Sequence, residues 1–304
     1  MTMSACGQSD PYYWTQAAAP GSGSFPEEWR PGKFPMGIVP VVAFNDHLYM
    51  VGRNTTWISD DGLTWNAHPK ADWGERHGMT ITFFKGELWA MGGMKTWDAF
   101  CNDIWVSSDG MDWRQVAAQS AWPKRRGHAV VVYGEKLWLM GGLVSSGVGD
   151  QLPTQSLNDV WSSQDGVHWF QESERAEWSA REPRVVILND MLFLIGDTDK
   201  SDVWHSDNGK TWKLLAEESA WPARQNSGLL VYDGRLWIFG GRGLNDVWSS
   251  HDGVRWQQHA SAAPWSTRTT NNSITYRDKI WIYSGKTGRD ESWSGDVWTM
   301  SSRM

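Results

Sequence analysis

The sequence predicts an all-β fold, a six-bladed β-propeller of four-stranded antiparallel blades whose ring is closed by the N-terminal strand pairing into the last blade. Three observations predict it. The 304 residues hold 24 tryptophans, an extreme usage that calls first for a search for repeats. Nearly all of them fall into four columns that recur along the whole chain. The last repeat lacks two column residues, and the N-terminal segment supplies them.

The first column is Tyr49, Trp89, Trp138, Phe193, Trp237 and Trp281, each near the start of an apolar run such as LWLMGG at Leu137 to Gly142. Alternation and aromatic content make these runs strands. The second column is Trp57, Trp105, Trp161, Trp204, Trp248 and Trp298, and the third is Trp65, Trp113, Trp169, Trp212 and Trp256, always eight residues further on. Between them stands an Asx-Gly pair (Asp61-Gly62, Asp109-Gly110, Asp165-Gly166, Asn208-Gly209, Asp252-Gly253). Such pairs tolerate the positive φ of tight hairpins, so these two columns lie on adjacent antiparallel strands. The fourth column, Trp73, Trp122, Trp178, Trp221 and Trp265, precedes another apolar run such as AVVVY at Ala129 to Tyr133, which turns into the next first-column strand. A unit of four strands cannot bury both faces alone and stacks radially, with flat indoles filling the wedge between neighbours.

The sixth unit reaches Trp298 and ends without hairpin, third-column or fourth-column residue; Trp14 and Trp29 stand in for them. Tyr12 to Trp14 and their neighbours are therefore expected as the outermost strand of blade six, which removes the open sheet edge. The expected organisation is one domain over 1–304. Residues 1–35 form the closing segment, and the blades span approximately 36–73, 74–122, 123–178, 179–221, 222–265 and 266–304 plus 10–30.

The glycine pairs Gly92-Gly93, Gly141-Gly142 and Gly240-Gly241, each followed by a loop and an aromatic strand, resemble kelch repeats over essentially the whole chain. The kelch-type superfamily includes the central domain of galactose oxidase, and the chain bears a distant similarity to sialic acid mutarotase-type propellers. The hairpin segments, such as SDNGKTW at Ser206 to Trp212, resemble the Asp-box turns of sialidase-type propellers. Both resemblances imply a scaffold, and neither implies a reaction. The mutarotase likeness implies cofactor-free proton transfer in a funnel, without a motif that transfers residue by residue. The iron-binding pattern of plant specifier proteins and the tyrosine-rich copper site of galactose oxidase have no match.

Twenty-eight basic against 35 acidic residues, a net charge of −7, give no broad electrostatic footprint for nucleic acid or anionic lipid. No apolar run is long enough to read as a membrane span. Two cysteines, Cys6 and Cys101, make neither a disulfide framework nor a zinc spacing, which reads as a reducing compartment. The chain as written reads as cytoplasmic. Met3-Ser4-Ala5-Cys6 resembles the end of a lipoprotein cleavage site, so a true start upstream of Cys6 would instead read as a lipid-anchored or periplasmic form.

An arginine follows each fourth-column tryptophan by three residues (Arg76, Arg125, Arg181, Arg224, Arg268). An aspartate precedes the second-column tryptophan by two in the same five blades (Asp103, Asp159, Asp202, Asp246, Asp296). Blade one, with Met36 and Thr55 at the matching places, lacks both. Joint presence and joint absence point to intrablade ion pairs rather than an anion-binding ring.

Function is expected where blades differ, on the strand-two turns and interblade connections around the funnel mouth. Catalytic candidates are His77 and His128, whose imidazoles titrate near neutral pH, and Glu291. Substrate-binding candidates are Arg53, Trp97, Asp98, Arg126, Arg184, Gln225, Asn226, Asn271, Arg289 and Trp293. Asp150, Asp197, Asp199, Arg242 and Asn272 lie nearby in the same reading. No metal-ligand spacing is present, and no cofactor is called for. The first functional reading is a small-molecule ligand in the central funnel with cofactor-independent acid–base chemistry, of isomerase, mutarotase or lyase type, on a polar, anionic or sugar-like substrate. The alternative is a non-catalytic propeller that grips a protein or glycan partner with the long loops of blades two, three and six.

Overall fold

The computed structural model describes residues 11–19, 40–52, 55–68, 71–95, 99–145, 154–197, 199–268, 272–283, 285–287 and 292–302, with backbone alone at 197, 286, 287, 292 and 293. Strand β1 (Tyr12–Ala18) precedes blade one, which comprises β2 (Val41–Phe44), β3 (His47–Gly52), β4 (Thr55–Ser59) and β5 (Asn66–Ala67). Blade two is β6 (Thr80–Phe84), β7 (Glu87–Met91), β8 (Ile104–Ser107) and β9 (Arg114–Ala117). Blade three is β10 (Ala129–Tyr133), β11 (Lys136–Ser145), β12 (Thr154–Ser163) and β13 (Phe170–Ser173). Blade four is β14 (Val185–Leu188), β15 (Met191–Asp197), β16 (Lys200–Ser206) and β17 (Lys213–Ala216). Blade five is β18 (Gly228–Tyr232), β19 (Arg235–Gly241), β20 (Leu244–Ser250) and β21 (Trp256–Ala260). Blade six holds β22 (Asn272–Tyr276) and β23 (Lys279–Tyr283). A small hairpin, β24 (Lys286–Thr287) with β25 (Ser292–Trp293), follows, and β26 (Val297–Ser302) then completes the C-terminal part.

The sheet order of blade six is β22-β23-β26-β1, so the N-terminal strand is its outer edge. Tyr12 pairs with Ser302 and Trp14 with Met300, antiparallel. The first strands of the blades touch in the sequence β2, β6, β10, β14, β18, β22 and back to β2, which closes a ring of six around a central channel.

The core is accordingly divided into six wedges, each drawn from two successive blades, including one from blades six and one. The tryptophan columns explain the wedges. Each fourth-column indole packs edge-on against the third-column indole of the next blade: Trp73 on Trp113 at 4.7 Å, Trp122 on Trp169, Trp178 on Trp212 and Trp221 on Trp256. Trp14 completes the series, 4.2 Å from Trp265. Trp29 lies outside the described residues.

The hairpin glycines are needed for a second reason besides their φ. A Cβ on Gly209 would lie 2.7 Å from the Trp138 ring and one on Gly62 would lie 2.9 Å from Trp281, so the first-column aromatic of one blade slides under the hairpin of the next. Each hairpin is locked by its own residues. In blade two Ser107 Oγ accepts from the Gly110 N–H, and Asp109 Oδ1 accepts from the N–H groups of Met111 and Asp112. The other hairpins repeat this with Asp61, Asp165, Asn208 and Asp252.

Candidate functional site

The repeated arginines make intrablade pairs. Arg76 reaches Asp103 at 2.7 Å, Arg125 reaches Asp159 at 2.6 Å, Arg181 reaches Asp202 at 2.7 Å, Arg224 reaches Asp246 at 2.6 Å and Arg268 reaches Asp296 at 3.0 Å. The second aspartate oxygen also accepts the indole N–H two residues on, from Trp105, Trp161, Trp204, Trp248 and Trp298. Burial pushes the carboxyls of Asp103 and Asp202 up, and the guanidinium and indole bonds outweigh it, leaving both below the usual range. Groups whose charges and lone pairs are so fully engaged hold the blades together rather than wait for a ligand.

The next residue in the chain is where the blades differ. After the arginine come His77 in blade two, Arg126 in blade three, Glu182 in blade four and Gln225 in blade five. At His77, Arg126 and Gln225 the backbone is pinned over the second residue of a glycine pair, whereas blade four has Gly196-Asp197 at the matching place. A Cβ on Gly93 would lie 2.8 Å from the His77 carbonyl, and one on Gly142 would lie 2.7 Å from that of Arg126. Two backbone bonds tie His77 to Met94, and two tie Arg126 to Leu143. The residues after the repeated arginines are thus a base, a cation, an acid and an amide in successive blades. Across blades three and four, Arg126 Nη1 meets Glu182 Oε1 at 3.1 Å, with the side chains 21% and 38% exposed. A pair this accessible to water contributes about 0–1 kcal/mol and is easily exchanged for another anion. Sequence reasoning named Arg126 and missed Glu182; alignment on Arg181 was the signal that could have found it.

Just below stands Arg184. Its carbonyl accepts from the Ile195 N–H at 3.1 Å, which places it at the head of the inner strand, level with Thr80, Ala129, Gly228 and Asn272. Arg184 is half-buried and Asn272 buried, and the inner strands beneath are mostly half-buried Val, Leu, Ile and Thr. Gln225 and Asn226 are exposed, Asn226 with φ 54°. Asp199 and Arg242, on the turns of blades four and five, approach to 3.4 Å in the open.

His128 differs from His77. His77 is half-buried at the mouth, whereas His128 is 3% exposed, with Nε2 3.1 Å from Thr80 Oγ1. Burial, with the Arg125 charge adding to it, lowers its pKa to about 3. A neutral imidazole of that kind is a weak base and a good hydrogen-bonding prop for Thr80.

Arg53, Trp97, Asp98, Asp150, Asn271, Arg289 and Glu291 lie outside the described residues, and Trp293 is described by its backbone in β25 alone. Among the described residues no three His, Cys, Asp or Glu side chains gather as a metal site requires. Among them, too, no helix is long and apolar enough to cross a membrane, a statement that does not bear on strands.

Residues 188–301 match a family described as the DUF6242 beta propeller domain, over somewhat more than a third of the chain. No curated protein matches. Solved structures match in number, 590 chains in all. One, described as "Structure of YjhT", is 17% identical, covers 87% of this chain and 95% of its own, and superposes with a TM-score of 0.69. At that identity the likeness is one of fold, and the chain is similar to known six-bladed propellers in architecture.

Proposed function

We propose that the channel mouth binds a polar small molecule, anionic or sugar-like, and moves protons on it without a cofactor, as an isomerase, mutarotase or lyase does. The observation that carries this reading is the ring formed by the residues after the repeated arginines. Packing repeats the same groups from blade to blade, whereas His77, Arg126, Glu182 and Gln225, each the residue after a repeated arginine, differ. The likeness to sialic acid mutarotase-type propellers supports the same reading, because it implies cofactor-free proton transfer in a funnel.

In this reading Arg126 and Arg184 orient an anionic group, which competes with Glu182 for Arg126. Gln225 and Asn226 bond its hydroxyls. His77, half-buried and reachable from solvent, takes a proton from the substrate and returns it, with the carboxylate of Glu182, once displaced, as a second acid–base group. His128 holds Thr80 in place. Glu291, Arg53, Trp97, Asp98, Asn271, Arg289 and Trp293 stay candidates for the loops over the same mouth.

The test begins with a thermal-shift screen of sugars and sugar acids. A bound ligand at about a hundred times its Kd adds about 2.7 kcal/mol of stability and raises the melting temperature. Hits are followed by proton NMR for anomer exchange and deuterium uptake. His77→Ala is expected to keep affinity and slow exchange by about 10²–10⁴-fold, while Arg126→Ala loses affinity. If no sugar or sugar acid binds, or if exchange survives unchanged in His77→Ala, Glu182→Gln and Glu291→Gln, the enzyme reading is wrong. The partner-gripping alternative then stands in its place.

A further inference from the structure

On the mouth face, away from the channel axis, the connections of blades two and three line an open cleft of about 700 Å³. It shares no lining residue with the ring of His77, Arg126, Glu182 and Gln225. Phe100, Val144 and Leu157 give it apolar walls, Cys101 faces it, and Lys95 and Lys124 stand at its rim. Its walls are preformed: Lys95 N–H bonds to the Ala99 carbonyl, Cys101 N–H to Gly93, and Arg125 N–H to Cys101, at 2.8–3.0 Å.

Acidic groups outnumber basic ones in this chain, and some exposed cations pair with them: Arg114 meets Glu87, Lys210 meets Glu172 and Arg242 meets Asp199. Lys95 and Lys124 make no ion pair with a described residue, although they flank one cleft. Two like charges over an apolar cleft raise the local potential for an anion and repel a cation. The volume falls in the range of about 300–1,000 Å³ that small-molecule sites occupy.

We propose that this cleft is a second binding site, for a small organic anion whose apolar body packs against Phe100, Val144 and Leu157 while its charged head sits between Lys95 and Lys124. Lysine ammonium groups act as point charges without a fixed fork, so the site selects charge and apolar bulk rather than head-group shape. The proposal does not rest on the reading of the channel mouth.

Cys101 supplies the reporter, because the residue lines the cleft and burial raises its pKa, which makes alkylation slow enough to follow. The experiment uses the full chain carrying Cys6→Ser, neutral iodoacetamide as the reagent, 2-naphthoate as the probe and 2-naphthamide as its uncharged counterpart. Naphthoate is expected to slow Cys101 alkylation saturably, by about fivefold or more. The K95E/K124E variant, both positions being exposed, is expected to weaken protection by about tenfold or more. If that variant does not fold, K95Q and K124Q separately serve, each with a smaller loss. Absence of protection at about 1 mM naphthoate, equal protection by the amide, or equal affinity in the lysine variants overturns the proposal.

Discussion

At His128 a titratable ring sits where water cannot reach it, bonded to Thr80 on one side and facing the Arg125 charge. Its pKa falls from 6.5 to about 3 on folding, burial being the larger cause. Between those two values the unfolded chain binds a proton there and the folded chain does not, so stability rises with pH across this window and is lost as pH falls through the upper value. The cost of acidification from about pH 7 to about pH 5 is about 2 kcal/mol for this one group. The hairpin carboxylates Asp61, Asp109 and Asp252 also sit below their ordinary 3.8, burial raising them and the hairpin N–H bonds outweighing it. Their contribution is lost only at more acid pH, which leaves the histidines, with His205 also lowered by burial, to act between. Urea unfolding at the two pH values should therefore show wild type losing about 2 kcal/mol more than His128→Gln, which keeps a bond to Thr80 and cannot titrate. Parallel losses in the two proteins would mean that the imidazole is not held neutral.

Within a blade, the unit that repeats is a guanidinium, a carboxylate and an indole, as in Arg224, Asp246 and Trp248. Removing one charge leaves the other buried and unpaired, which costs about 3–5 kcal/mol, whereas replacing both can be nearly neutral. Arg224→Leu and Asp246→Leu should each lower unfolding free energy by that amount, and the double variant by far less than their sum. Simple additivity in chemical denaturation would dissolve the pair as an energetic unit. This element was legible in the sequence because packing imposes it five times at fixed spacings, and blade one, which lacks it, lacks both partners. The site was legible only in part, for the opposite reason. Arg184 occupies the place of Thr80 and Ala129 because the connection from Arg181 is one residue shorter than its siblings, which strand pairing reveals and spacing alone does not. His77 follows its repeated arginine by one residue and His128 by three, and the structure packs the second ring against Trp122 while leaving the first half-exposed.

Over the whole molecule, each of the six wedges needs both of its blades, and the wedge between blades five and six needs a strand from the other end of the chain. Tyr12 packs on Trp237 at 4.6 Å and donates to Asp233, while Trp14 covers Trp265. Losing two such aromatics costs about 3–5 kcal/mol each, against a total stability of about 5–15 kcal/mol for a typical domain. Loss of the strand also leaves β26 with an unpaired edge. A chain lacking residues 1–19 should consequently fail to melt cooperatively and should aggregate. A circular permutant offers the complementary arm: Tyr12 and Ser302 are paired neighbours, so a short Gly/Ser linker can join those strands, with new ends opened at the exposed Gly134–Glu135 turn. The permutant should melt cooperatively, within a few degrees of wild type, because every wedge is kept and only the covalent path changes. A truncated chain that melts like the intact one would show that the ring stands without β1. A permutant that does not fold would show that the ring depends on chain order rather than on the strand itself.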